Sequence, residues 1–252
     1  MEVDLALGVF IVADGMGGHN AGEIASRLAS DTIRGFLKRT NEVDEFTWPF
    51  GLDPRLSYDA NRLLTAVKLA NRRVFRAGES RDDYTGMGTT VVAVVAGRNR
   101  ASYAAVGDSR IYSFADGRLE QLTRDESWMT ALGGESGLNP GTIAGHPMRH
   151  VLTNVIGARD DVDAQVGERE LGRRERLLLC SDGVHGSLDD ASIADILARA
   201  GSARAASEAL VAAALARGAT DNVTAVVVDN CADVANGPGE ALAPGSTRTE
   251  DI

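Results

Sequence analysis

Four aspartates share one setting in this chain. Asp14 follows the apolar run "VFIVA", Asp108 follows "YAAVG", Asp182 follows "LLLCS", and Asp221 precedes "NVTAVVV". Three therefore lie just past the C-terminal end of a strand-like run and the fourth just before one. In an antiparallel sheet the end of one strand and the start of its neighbour share an edge. Carboxylates far apart in the chain could meet there. Without a cation they would repel and take up protons. With Mg²⁺ or Mn²⁺ between them, oxygen-only ligation becomes favourable and disfavours zinc. Two such ions would activate water and clamp a phosphoryl group for in-line attack. Gly15 and Gly183, each directly after an aspartate, leave the neighbouring backbone carbonyls uncrowded. The simpler alternative is that Asp-Gly and Asp-Ser are common turn formers, and "ADGR" at 115–118 is only that. On residue types and spacing alone both readings stay open.

The elements that must position these residues follow from the hydrophobic pattern. Residues 7–13 predict a buried strand and Asn20 to about Lys38 a helix, with Ile24, Leu28, Thr32 or Ile33, and Phe36 or Leu37 near a 3.6-residue period. A loop broken by two prolines covers 40–56, and a second helix runs over about Asp59 to Ala77. Strands joined by "GRNR", "GDS" and "ADGR" predict antiparallel hairpins, because such links are too short for a crossover. Residues 123–150 read as a long Gly-rich loop of the kind that carries function. Strands near 163–171 and 176–180, helices near 189–200 and 203–217, and a last strand "NVTAVVVD" complete the domain. The polar, Gly- and Pro-containing stretch 230–252 predicts a disordered tail, leaving one domain over 1–229. Paired helices around antiparallel hairpins fit an α+β class rather than a doubly wound sheet.

Composition narrows the partners. The 252 residues carry a net charge of −10, which argues against a nucleic-acid or anionic-membrane binder. No apolar run reaches the roughly 18–20 residues of a membrane span. "LALGVFIVA" has the length of a signal core, but Glu2 and Asp4 stand where positive charge belongs. Cys180 and Cys231 form neither a disulfide framework nor a zinc spacing. Cys180 ends an apolar run and predicts core packing in a reducing compartment, so a cytoplasmic protein is expected.

Seven segments, in order, resemble the metal-dependent Ser/Thr protein phosphatases of type 2C (PPM) in their bacterial form. They are "VADGMGGHNAGEIAS" (12–26), "GTT" (88–90), "AAVGDSRIY" (104–112), "LTRDESW" (122–128), "HPMRHVLTNVIG" (146–157), "LLLCSDGV" (177–184) and "ATDNVTAVVV" (219–228). The resemblance implies a four-layer α-β-β-α sandwich with two antiparallel sheets. It implies hydrolysis of phosphoserine or phosphothreonine on proteins by metal-activated water, without a phosphoenzyme. Asp14, Asp182 and Asp221 would be catalytic and would hold two Mn²⁺ or Mg²⁺ ions, Asp14 bridging them and Gly15 offering its carbonyl. Asp108 matches the position that holds a third ion together with the aspartate of "SDG". Residues 123–150 match a flap beside the site. Phosphorylated proteins, a Ser/Thr kinase and its targets are the implied partners.

The departures set a rival expectation. Family members begin with a strand carrying Arg-x-x-Asn-x-Asp some twenty residues before the "DGMGG" aspartate. Here thirteen residues precede Asp14, and Glu2 and Asp4 are too close to take that part. Either the start is truncated or the phosphate-gripping Arg is missing; in the second case a catalytically impaired, phosphatase-like binding domain is the alternative, and a binuclear phosphohydrolase of small molecules is a third reading. Glu126 stands where bacterial relatives often carry His, and Met16 where other branches place a His, so no general acid is assigned. His19 could sit near the site or simply fit the entry to the first helix, His146 and His150 fit surface or packing roles, and His185 after "SDGV" could line the pocket.

Overall fold

The apolar runs of this chain are continuous rather than alternating because its strands are buried on both faces. The structure, a computed structural model, describes residues 1–18, 20–43, 46–128, 130 and 151–230. A hairpin of β1 (Glu2–Asp4) and β2 (Val9–Val12) leads to β3 (Gly15–Met16), then α1 (Ala21–Glu42) and α2 (Tyr58–Ser80). The strands β4 (Gly88–Thr89), β5 (Val91–Ala96), β6 (Arg100–Val106), β7 (Arg110–Ala115) and β8 (Arg118–Gln121) follow. The chain closes with β9 (Gln165–Glu170), β10 (Arg176–Cys180), a one-turn α3 (Asp182–His185), α4 (Asp190–Arg199), α5 (Ala203–Ala216) and β11 (Ala225–Asp229). Among the described residues no helix is long and apolar enough to cross a membrane.

A five-stranded sheet has the order β1-β2-β5-β6-β9 and a four-stranded sheet the order β11-β10-β7-β8. Both are antiparallel throughout. The two-residue period of each strand sorts its side chains into layers. Val9 and Ile11, Val91, Ala93 and Val95, and Ala104 and Val106 pack under α1 and α2. Phe10, Val12, Val92, Val94 and Ala105 turn the other way and meet Ile111, Leu177, Leu179 and Val226 of the second sheet. Tyr112, Leu178, Cys180 and Val227 face α4 and α5 on the outer side. The result is the expected α-β-β-α sandwich. Each fully buried Val or Leu contributes about 1.5–3 kcal/mol by leaving water, so the three apolar layers dominate the stability.

Arg62 ties the two long helices together. Its Nε donates to Thr40 Oγ1 at 2.9 Å, and Nη1 to Asp59 at 2.8 Å. Its Nη2 donates to the Leu37 carbonyl in the last turns of α1, where a cation also meets the negative end of the helix dipole. Asn71, buried on α2, donates to the carbonyls of Arg159 and Asp160 and accepts the Gly157 N–H at 2.8 Å. It pins the stretch that follows Ile156, which itself bridges Thr89.

One sequence expectation changes. The hairpins at "GRNR" and "ADGR" form, but β6 and β7 do not pair, so "GDS" carries the chain from one sheet to the other. The reason is local. Gly107 takes φ +97, and a Cβ there would stand 2.8 Å from Thr90 Cγ2, so the chain bends out of its sheet at that residue. The strand β1 and the one-turn α3 had no counterpart in the pattern reading. Cys180 is fully buried, and burial pushes its thiol up to about 12, as a packing role requires. His19, His146, His150, Cys231 and most of 123–150 and 230–252 lie outside the described residues.

Candidate metal centre

The strand registers bring the four aspartates to one edge of the sandwich. Val12 pairs with Val92 and Val91 with Val106, so Asp14, Thr90 and Asp108 leave the first sheet on the same side. Cys180 pairs with both Arg110 and Ala225, which places Asp182 beyond β10 next to the approach of β11 from Asp221. The "GDS" crossover joins the two sheets at this edge.

Electrostatics shows that the groups meet across the two sheets. Asp14 is raised to about 7, first by burial and then by repulsion from Asp182, Asp221 and Asp108. A hydrogen bond between the Asp14 and Asp182 carboxyls adds to the effect. Asp108 is raised to about 6 by burial and by Asp182 and Asp125. Yet among the described residues no three His, Cys, Asp or Glu side chains close into a ready ligand cage. Mutual repulsion accounts for both facts: carboxylates near enough to raise one another's proton affinity resist tighter convergence until a cation offsets their charge.

The backbone around the aspartates is built to stay open and fixed. The Asp14 N–H donates to Thr90 Oγ1 at 3.2 Å, and its carbonyl accepts the Thr90 N–H and the Thr89 hydroxyl, both at 2.8 Å. Thr90 Oγ1 also bonds Ser109 Oγ at 2.7 Å, linking the Asp14 and Asp108 strand ends. Gly15 lies against α1, where an added Cβ would stand 1.9 Å from the Gly22 carbonyl oxygen. At Gly183 it would stand 2.4 Å from the Asn222 carbonyl oxygen. Both neighbours are backbone and cannot rotate away. Gly15→Ala is therefore expected to lower stability by at least about 2 kcal/mol and to displace the start of α1. Urea denaturation of the variant measures this, and a change within 0.5 kcal/mol would contradict the geometry.

The donor set fits hard divalent ions. Among the described residues the groups at this edge are carboxylates, and Cys180 is fully buried in the layer facing α4 and α5. Glu2 and Asp4 stay apart from the cluster: Glu2 pairs with Arg34 at 3.5 Å, and Asp4 accepts the Leu7 N–H in the β1–β2 turn. Arg110 lies close enough to favour the charged form of Asp108. Its guanidinium is already committed, however, to a two-pronged pair with Asp125 at 2.8 and 2.7 Å and to the Tyr112 hydroxyl. His185 donates from Nε2 to the Asp108 carbonyl at 3.0 Å. Burial and then Arg110 hold its imidazole down at about 4, so it is a neutral donor there. It thus supports the Asp108 turn.

Pattern reading missed Thr90 and Asn154. Both sit inside recognised segments, "GTT" and "LTNVIG", but their roles depend on neighbours 19 or more residues away. Aspartates at one edge of a two-sheet sandwich suit the class of metal-dependent phosphoryl hydrolases, and the comparisons specify the family. The family model described as "Protein phosphatase 2C" matches residues 3–218. A putative protein phosphatase 2C-type of Streptococcus pyogenes is 34% identical over 221 residues, covering 87% of this chain and 85% of that protein. The serine/threonine protein phosphatase PstP of Mycobacterium tuberculosis is 33% identical over 240 residues, which cover 95% of this chain and 43% of PstP. The crystal structure of the PstP catalytic domain in complex with two manganese ions is similar at 32% identity and a TM-score of 0.72. That match covers 88% of this chain and 86% of the PstP one. The chain belongs to the protein phosphatase 2C family.

Proposed function

We propose that this chain is a Mn²⁺- or Mg²⁺-dependent phosphatase that hydrolyses phosphoserine and phosphothreonine on proteins. The observation that carries the reading is the gathering of Asp14, Asp182, Asp221 and Asp108 at one edge of the sandwich, where burial first and then repulsion from the other three raise Asp14 to about 7. In this reading Asp14, Asp182 and Asp221 hold two ions and Gly15 contributes its carbonyl, while Asp108 and Asp182 provide for a third. Bound there, the ions supply the positive charge that activates water and offsets the phosphoryl group. The protein's own part is to hold the aspartates at fixed strand ends and to keep Gly15 and Gly183 free of side chains. The active domain spans 1–229, the protein works in the cytoplasm, and its substrates are the targets of a Ser/Thr kinase that it opposes.

The test is turnover of a phosphothreonine peptide by the purified protein with Mn²⁺. Hydrolysis is expected, and Asp182→Asn and Asp221→Asn should each reduce kcat by at least about 10³-fold, roughly 4 kcal/mol of barrier. Absence of turnover on phosphothreonine and phosphoserine peptides would refute the reading.

A further inference from the structure

The turn that carries Asp108 has a second attachment, independent of the sheets. Gly107 is buried just past Val106, the last residue of β6. A buried amide of this kind needs an acceptor. The acceptor is Glu126, whose Oε2 takes the Gly107 N–H at 2.9 Å while the Glu126 N–H donates back to the Gly107 carbonyl at 2.9 Å. The same oxygen accepts the Asn154 side-chain amide at 2.9 Å. The Glu126 carbonyl accepts both the N–H and the hydroxyl of Thr153, at 2.8 and 2.9 Å. One residue therefore joins the Asp108 turn to both strands of a small ladder, 126–128 and 151–153, which is completed by the Ser127–Leu152 bridge and the Trp128 N–H to Val151 bond.

We infer that Glu126 is a positioning residue that sets the Asp108 carboxylate for cation binding and ties that setting to the ladder of 126–128 with 151–153. This rests on the reading of Asp108 as a cation ligand. Burial of the turn alone does not explain the arrangement, because two separate donors converge on a single carboxylate oxygen. That convergence predicts which substitutions succeed. In Glu126→Gln the amide oxygen can still accept both N–H groups. In Glu126→Met the side chain keeps its size but loses the acceptor. In Glu126→Asp the charge is kept, but the carboxylate falls one methylene short of donors on two different segments.

The experiment is calorimetric titration of Mn²⁺ into the folded, metal-stripped protein, beside kcat and KM on a phosphothreonine peptide. Glu126→Met and Glu126→Asp are expected to weaken the lowest-affinity Mn²⁺ step about 10- to 100-fold, the usual range for loss of a group supporting a metal ligand. Glu126→Gln should stay within about threefold of the parent, because the acceptor geometry is retained. Asp108→Asn serves as the reference for loss of that step. If Asp108→Asn removes the step while Glu126→Met and Glu126→Asp leave it unchanged, the inference is overturned and the cation role of Asp108 stands. If Asp108→Asn leaves the isotherm unchanged, the cation role falls and the inference with it. A parent-like Glu126→Asp beside a weakened Glu126→Met would also overturn it, since charge rather than reach would then be what matters. Should Glu126→Met not fold, the Asp and Gln variants decide the matter alone.

Discussion

Asp14→Asn is expected to yield a protein that is catalytically dead and, stripped of metal, more stable than its parent. The carboxylate sits amid Asp182, Asp221 and Asp108 with a pKa raised to about 7. An unfolded chain releases this proton near pH 4, whereas the folded protein keeps it until about pH 7. The folded state therefore binds more protons over that window, and stability of the metal-free parent falls as pH rises through it. Above pH 7 the full cost is in place, on the order of 2–4 kcal/mol at about 1.4 kcal/mol per pKa unit, less screening at this partly exposed site. The neutral amide escapes the repulsion. Thermal denaturation in EDTA at pH 8 should place Asp14→Asn several degrees above the parent, with the difference vanishing near pH 4. Turnover with Mn²⁺ should fall at least about 10³-fold in the same variant. Equal midpoints at pH 8 would show that neither burial nor the neighbouring carboxylates penalise the Asp14 charge, and the proposed centre would lose its basis.

Mn²⁺ affinity should climb steeply with pH for the same reason. A cation binds the carboxylate forms, so protons held by Asp14 near pKa 7 and Asp108 near pKa 6 must leave first. At pH 5 the competition reaches about two powers of ten for Asp14 and about one for Asp108, while at pH 8 both are small. The apparent Kd is thus expected to rise by about two to three orders of magnitude from pH 8 to pH 5. Calorimetry at pH 6.5 in buffers of different ionisation enthalpy should show proton release on binding. A buffer-independent enthalpy would mean that the carboxylates were already ionised, contrary to their environment in the fold.

The two predictions pull in opposite directions. A set of groups selected for packing would gain stability from pairing, whereas this edge loses stability without a cation and regains it with one. The supports around it, Thr90, Ser109, His185 and Glu126, are neutral donors or acceptors, or carboxylates directed at amides. None of them cancels the aspartate charge.

Much of this was written in the chain itself. The apolar runs ending at Asp14, Asp108 and Asp182 fix where three strands stop, because a carboxylate cannot continue into a dry core. The alternation of short turns with those runs dictates antiparallel sheets, and the period of α1 and α2 marks the faces they bury. The sequence also determined which ion chemistry is possible, through oxygen ligands without cysteine or a histidine cluster. The tertiary structure decided the rest. Continuous apolar strands carry no sign of which face meets helix and which meets the other sheet, so the layering of Val9 against Phe10 emerged only when both sheets were stacked. The three-residue link "GDS" reads as a hairpin, yet Gly107 bends against Thr90, a residue 17 positions earlier, and sends the chain across to the second sheet. Glu126 and His185 carry no pattern of their own. They act on a turn 19 and 77 residues away in the chain, and such reach is a property of packing, which linear spacing does not encode.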